Sequence, residues 1–161
     1  MISIFGAMSL VVLIVCVAAL VLHVRVLKKR SRVDDAMAEF DELLRDRLEI
    51  YLDLAGDAQG DFEDIENICE SYVLAETRQI IKSWAKIEKS VAPLKSEINK
   101  NEALAQNAKD IDAMVRAYNN NVAVYNDSIA HFPGKIIALA VGFTAVKVLH
   151  FSYMTEVGTP T

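Results

Sequence analysis

The chain opens on an apolar run and then settles into a repeating pattern. Residues 2–22 carry no charged side chain. As a helix, at about 1.5 Å per residue, such a run covers the roughly 30 Å of a hydrocarbon core. From Val33 the apolar positions recur in steps of four and three: Val33, Met37, Phe40, Leu44, Leu48, Tyr51 and Ala55. That spacing keeps one seam on one side of a helix and predicts a first soluble helix over 33–55. The polar stretch Gly56–Gly60 reads as a turn, with Asp61 placed to cap a second helix. This second helix is expected over 61–91. Its seam begins with Phe62, Ile65, Cys69 and Tyr72, shifts phase slightly, and continues with Val73, Ile80, Trp84, Ile87 and Val91. Pro93 ends or kinks it, while Leu94 and Ile98 prolong the phase, so the break near Pro93 has no single position in the pattern. Asn101 is a fair N-cap for a third helix over 102–132. The seam of that helix is the longest: Leu104, Ala108, Ile111, Val115, Tyr118, Val122, Tyr125, Ile129 and Phe132. Pro133-Gly134 stops it, and a last helix, apolar on most faces, is expected over 135–151.

These elements predict an all-α protein: an N-terminal transmembrane helix followed by an antiparallel, up-and-down four-helix bundle. The domains read as an anchor at 1–24, a basic juxtamembrane segment at 25–32, the bundle at 33–152 and a C-terminal tail at 153–161. Charge sharpens the picture. The net charge of −5 hides three zones. Arg25, Lys28, Lys29, Arg30 and Arg32 come directly after the apolar run. Residues 33–76 hold fifteen acidic groups against two arginines, and residues 77–161 hold ten basic against seven acidic. A cationic cluster after the run, with none before it, favours an uncleaved anchor over a signal peptide. It also puts the cluster and the C-terminal domain in the cytoplasm and the N-terminus outside. The five basic groups are candidates for contact with anionic lipid headgroups. The stripe Arg78, Lys82, Lys86 and Lys89 is expected to lie beside the acidic first helix. No sustained basic surface suited to a nucleic-acid backbone is present.

Within the third helix, Asn119 and Asn126 repeat seven residues apart, each directly after a tyrosine. The run Tyr118-Asn119-x-x-Val122-x-x-Tyr125-Asn126-x-x-Ile129-x-x-Phe132-Pro133, with Ile137-Ala138 and Gly142-Phe143 after it, resembles the signature of the LemA family. The specific likeness covers about residues 115–143, and the order of elements agrees over nearly the whole chain. Two departures mark it as a divergent member. Only Arg116 stands where the family has several arginines, and Leu48–Leu54 replaces a Leu-Ile-Pro-Asn-Leu-like run. The resemblance implies a small bacterial membrane protein, with one N-terminal anchor and a cytoplasmic helical bundle that has a proline-bearing loop near Pro93. The family carries no agreed molecular activity.

Candidate chemistry changes little. Cys16 and Cys69 are too separated for a disulfide framework or a metal cluster. The acidic group Asp57, Asp61, Glu63, Asp64 and Glu66 lacks the alternating ligands and central glycine of a calcium loop. A solvated helix start explains it better. His23 reads as an interfacial residue, His131 as a helix-end residue, and Trp84 as core. No nucleophile elbow, phosphate loop, zinc motif or dinucleotide fingerprint occurs, so neither an enzyme nor a cofactor is expected. Tyr118, Asn119, Val122, Tyr125, Asn126, Phe132 and Pro133 read first as structure and second as the lining of a groove for a peptide or protein. Two functions stay open. One is a non-enzymatic scaffold at the cytoplasmic face of a bacterial membrane, with lipids, other proteins and further copies of itself as partners. The other is a sensing subunit that regulates a neighbouring membrane enzyme such as a protease. The last helix offers more apolar surface than one bundle face takes. Part of it is therefore expected to stay exposed, with Ile137 and Val141 as the candidate pair, for self-association or bilayer contact.

Overall fold

The computed structural model describes residues 4–57, 63–73 and 75–151. Six α-helices occur among them, and no strand. They are α1 (Ile4–Asp57), α2 (Glu63–Val73), α3 (Thr77–Ser90), α4 (Lys95–Lys100), α5 (Glu102–Ala130) and α6 (Gly134–Val141), with a 3₁₀ turn at Ala92–Leu94. The expected anchor, basic segment and first soluble helix are one continuous helix. Between Gly6 and Gly56 there is neither glycine nor proline. Nothing in the backbone therefore interrupts the helix where the sequence turns from apolar to charged. The apolar start of α1 is, among the described residues, the stretch long and apolar enough to cross a membrane, and it is a candidate anchor.

The chain divides into two compact units, residues 1–36 with 117–149 and residues 37–116 with 150–161. The second unit is built on the α1 seam. Phe40, Leu44, Leu48, Tyr51 and Ala55 are buried there, and Met37 is half-buried. Ile65 and Cys69 of α2, Ile80, Trp84 and Ile87 of α3, and Leu104 and Ile111 of α5 join the core. Burial of each Leu, Ile or Phe side chain among them contributes on the order of 1.5–3 kcal/mol. Phe62 lies outside the described residues.

The expected helix over 61–91 is two helices. Residues 75 and 76 leave the helical conformation, and Glu76 is extended (φ −65°, ψ 143°). The phase shift after Tyr72 is the cause. An unbroken helix would point its two apolar halves in different directions, and the break turns both inward. Arg45 of α1 completes the junction by donating from Nη1 to the Val73 carbonyl and from Nη2 to the Ala75 carbonyl at 2.9 Å. The Val73 carbonyl is one that the end of α2 leaves without an internal partner, and Ala75 belongs to the break itself. Thr77 donates to Asp41 (2.6 Å) and Tyr51 to Glu88 (3.1 Å), so α3 runs parallel to this part of α1. Asn107 reaches the Leu43 carbonyl (2.9 Å) and Arg47 the Leu104 carbonyl (3.1 Å), so α5 runs antiparallel to it. Asn101 caps α5 as expected, its Oδ1 accepting from the Leu104 amide at 3.0 Å.

The charge pairing expected between α3 and α1 does not form. Arg78, Lys82, Lys86 and Lys89 are all exposed. The described ion pairs of α1 run instead within the helix, Arg45–Asp41 and Arg30–Asp34, or to Glu88 from a buried Arg47. Solvated lysines keep their hydration and rotamer freedom, and exposed pairs return too little to outweigh that.

The last helix is the largest departure. It ends at Val141 rather than near 151. Gly142 takes the left-handed conformation (φ 81°), with its own amide and that of Phe143 donating to the Ala138 carbonyl, both at 2.9 Å. This is a glycine stop that a side chain would strain. Residues 143–151 then continue without helix.

Candidate functional site

The site is the face of α5 that carries the repeated Tyr-Asn pair, together with the segment that comes after Gly142. Both belong to the first compact unit up to Leu149. Val122 is fully buried on the inner side of this stretch, between Tyr118 and Tyr125, and holds the helix in place. The asparagines look toward the segment. Asn119 donates from Nδ2 to the Leu149 carbonyl (2.9 Å), and its Oδ1 accepts from the Leu149 amide (2.7 Å). Asn126 repeats the arrangement on Val146, donating to its carbonyl (2.7 Å) and accepting from its amide (2.9 Å). The tyrosine hydroxyls add a second rail. Tyr125 donates to the Thr144 carbonyl (3.1 Å) and Tyr118 to the Lys147 carbonyl (3.4 Å).

The register explains the heptad. Each pair is seven residues apart on α5, which is about 10.5 Å of helix. Its targets, Thr144 and Lys147 or Val146 and Leu149, are three residues apart. Three residues reach at most about 10–11 Å when nearly straight. The segment must therefore be drawn out, antiparallel to α5, for the two repeats to match. A primary amide can set one of its two N–H donors beside its carbonyl acceptor, the same pair a peptide group of a neighbouring strand would offer. The ladder reads backbone and not side chains. It also explains the early end of α6. The amides and carbonyls that a longer helix would use internally are engaged by Asn119 and Asn126, and the β-branched Thr144, Val146 and Val148 favour extended backbone.

Five of the seven expected motif residues thus come together: Tyr118, Asn119, Val122, Tyr125 and Asn126. Phe132 does not. It is 82% exposed, beyond the end of α5 at Ala130, and its expected place in the seam is corrected accordingly. Pro133 is joined to it through a cis peptide bond and sits at the N-cap of α6.

The basic cluster divides. Arg25, Lys28 and Arg32 are exposed and Lys29 is half-exposed. Arg30 turns to protein instead, pairing with Asp34 (3.2 Å) and lying 5.6 Å over the Tyr125 ring, where the ring face attracts its charge. Tyr125 is held on both sides, by this cation and by the Thr144 carbonyl.

The chain can be placed by comparison once this geometry is in view. Residues 75–159 match the model of the LemA family, more than half of the chain, and they include the whole ladder. The chain belongs to the LemA family. No curated protein and no solved structure matches it. Within this LemA-family chain the Tyr-Asn repeat is therefore the element that joins α5 to the C-terminal segment.

A polar centre that the pattern of apolar positions did not reveal lies in the second unit. Arg47 is 6% exposed. It donates from Nε to the Tyr51 hydroxyl (2.8 Å) and from Nη1 to the Leu104 carbonyl and the Asn107 Oδ1 (3.1 and 3.5 Å). Tyr51 donates onward to Glu88. Burial pushes the Tyr51 hydroxyl above its ordinary pKa; Arg47 opposes this and Glu88 adds to it. The available signal was the Arg-x-x-x-Tyr spacing, which puts both side chains on one face of a helix. Burial likewise pushes the Cys69 thiol up to about 11, which leaves it protonated and unreactive at neutral pH. Among the described residues, no group of three or more His, Cys, Asp and Glu side chains could hold a metal ion. The side chains of Asp61, Glu63, Asp64 and Glu66 lie outside the described residues.

Proposed function

We propose that this LemA-family chain is a non-enzymatic, membrane-anchored interaction protein at the cytoplasmic face of a bacterial membrane. Its binding element is the Tyr-Asn ladder of α5, and its ligand is an extended polypeptide strand. The single observation that carries the reading is the two-faced grip of Asn119 and Asn126 on the backbone of Leu149 and Val146. Backbone recognition by pairs of donors and acceptors suits a partner strand of variable sequence, as in strand addition. In the resting chain residues 144–149 fill the ladder. A partner strand enters when that segment leaves, and the tether makes the segment a strong competitor through its high local concentration. The cytoplasmic part serves as a helical bundle in which α2 and α3 replace the single second helix, α3 running parallel and α5 antiparallel to α1. The exposed Arg25, Lys28 and Arg32 favour the cytoplasmic side and anionic headgroups.

The test uses the full chain with a labelling enzyme fused after Thr161, compared with the Asn119→Ala/Asn126→Ala double variant. Loss of four backbone contacts costs on the order of 2–4 kcal/mol, so the amides of Val146 and Leu149 should exchange much faster in the variant. The parent should label a reproducible set of cytoplasmic proteins, and the variant should change that set while still inserting in the membrane. An identical set from both chains would refute the ladder as the binding element.

A further inference from the structure

Outside α1, most of the exposed large apolar side chains of the first unit fall on α6 and just before it. Phe132 is 82% and Leu139 77% exposed, and Ile136 and Val141 are exposed as well. The expected pair is Ile137 and Val141; in the structure Ile137 is half-buried, and Ile136 and Leu139 take its place. The face of α6 turned away from Ile136 and Leu139 is tied down. Gly134 and Ala138 are buried, and a Cβ at Gly134 would overlap the Ser128 carbonyl oxygen of α5. That close approach fixes the direction in which Ile136 and Leu139 point.

The height of α6 along α1 is set by its two ends. Asn121 donates to the Arg32 carbonyl (3.2 Å), and the Arg30 guanidinium lies over Tyr125. Continuing that antiparallel register to Ala130 reaches the level of Arg25, the first charged residue of the chain. At the other end of α6, the Phe143 ring stacks on the His23 ring, centroids 5.9 Å apart and planes 13° apart. Both ends of α6 thus fall where α1 changes from uncharged to basic. Leu20, Val21, Val24 and Leu27 of α1 are exposed in the same unit.

From this we infer that Phe132 and α6 are a second membrane contact, with the apolar face of α6 seated in the bilayer interface beside the anchor. This rests on α1 being the membrane anchor. The occupant of the face is lipid. By the same register the exposed residues of α6 fall near the level of the exposed Leu20, Val21 and Val24 of α1, and exposed cations flank that boundary, Arg25 and Lys28 on α1 and Lys135 on α6, suited to anionic headgroups. A short helix with one apolar face and flanking lysine is the chemistry of an interfacial segment. The contact would set the depth of the domain and hold the start of the ladder-bound segment, at Phe143, against the membrane surface.

The test places an environment-sensitive fluorophore on the full chain in vesicles of phosphatidylcholine and phosphatidylglycerol. Three sites are compared: native Cys16 in the anchor, Leu139→Cys in a Cys16→Ala background, and Ala113→Cys in the same background as an aqueous reference. Cys69 is buried and stays unlabelled. The Leu139 site should be quenched by headgroup-level nitroxide lipids several-fold more than the Ala113 site and be protected from iodide. Iodide quenching equal to that at Ala113, with Cys16 still quenched by lipid, overturns the inference and leaves the anchor standing. Protection from both quenchers means that protein, a second copy included, covers the face, and this also overturns it. Aqueous behaviour at Cys16 removes the anchor and the inference together.

Discussion

Arg47 and Tyr51 stand one helical turn apart on α1, and together they form the polar centre of the second unit. A buried guanidinium is tolerable only because carbonyl, amide and phenol oxygens surround it. The pH dependence originates in Tyr51. Its folded pKa is raised above the ordinary tyrosine value by burial. The folded state therefore holds this proton more tightly than the unfolded chain does. The resulting stability is fully present below pH ~10, the unfolded value, and declines as pH rises above it. In detergent solution the parent should lose more unfolding free energy between about pH 8 and pH 10.5 than Tyr51→Phe does. Equal losses would mean that other groups carry the alkaline sensitivity. Asn119 and Asn126 illustrate a second point at this scale. Each amide matches a peptide group in shape and polarity, and neither residue stands out in composition. Only their repeat after tyrosine marked them, and the repeat could not say what they hold.

At the scale of elements, α5 joins two tasks on one helix. Its inner face packs through Ile111, Tyr118, Val122 and Tyr125, and its outer face holds an extended segment. Val122 is fully buried between the two tyrosines. Val122→Asp places a charge there, and no cation replaces the lost hydration. The cost should be several kcal/mol, comparable with the ~5–15 kcal/mol that stabilises a whole domain. Loss of helical circular dichroism at a much lower temperature than in the parent is the expected result. An unchanged melting curve would show that this seam is not core. The helices themselves were largely legible, because a four-three apolar period reports a buried stripe directly. The start of α5, with its Asn101 cap, is readable in the sequence, whereas the four-three period begins at Val33 and does not show that α1 runs unbroken from Ile4. The break between α2 and α3 was visible as a phase shift, although only packing turned it into two helices. The end of α6 was not legible. An apolar run such as Ile136–Val146 suits a helix or a strand equally well.

The whole chain combines an apolar anchor candidate, a basic boundary and helices with a charged exterior. If Arg25–Arg32 lie inside, a cytoplasm-active reporter fused after Thr161 should work and a periplasm-active one should not. The reverse pattern would invert the orientation and open Cys69 to oxidising conditions. Sequence alone determined the helical class, the anchor candidate, the seam of each long helix and, through the Tyr-Asn repeat, the family. These rest on local regularities: hydropathy over twenty residues, a seven-residue period, and a short signature. The tertiary structure decided what those regularities touch. It put Arg47 inside and Phe132 outside, and it ended α6 at Gly142. It also showed that two asparagines two turns apart match peptide groups three residues apart on a straightened chain. The contacts of Arg47 and of the two asparagines join groups 20 to 60 positions distant in the chain. A local pattern carries no record of such contacts, because they are set by the distances between elements and not by the residues within one.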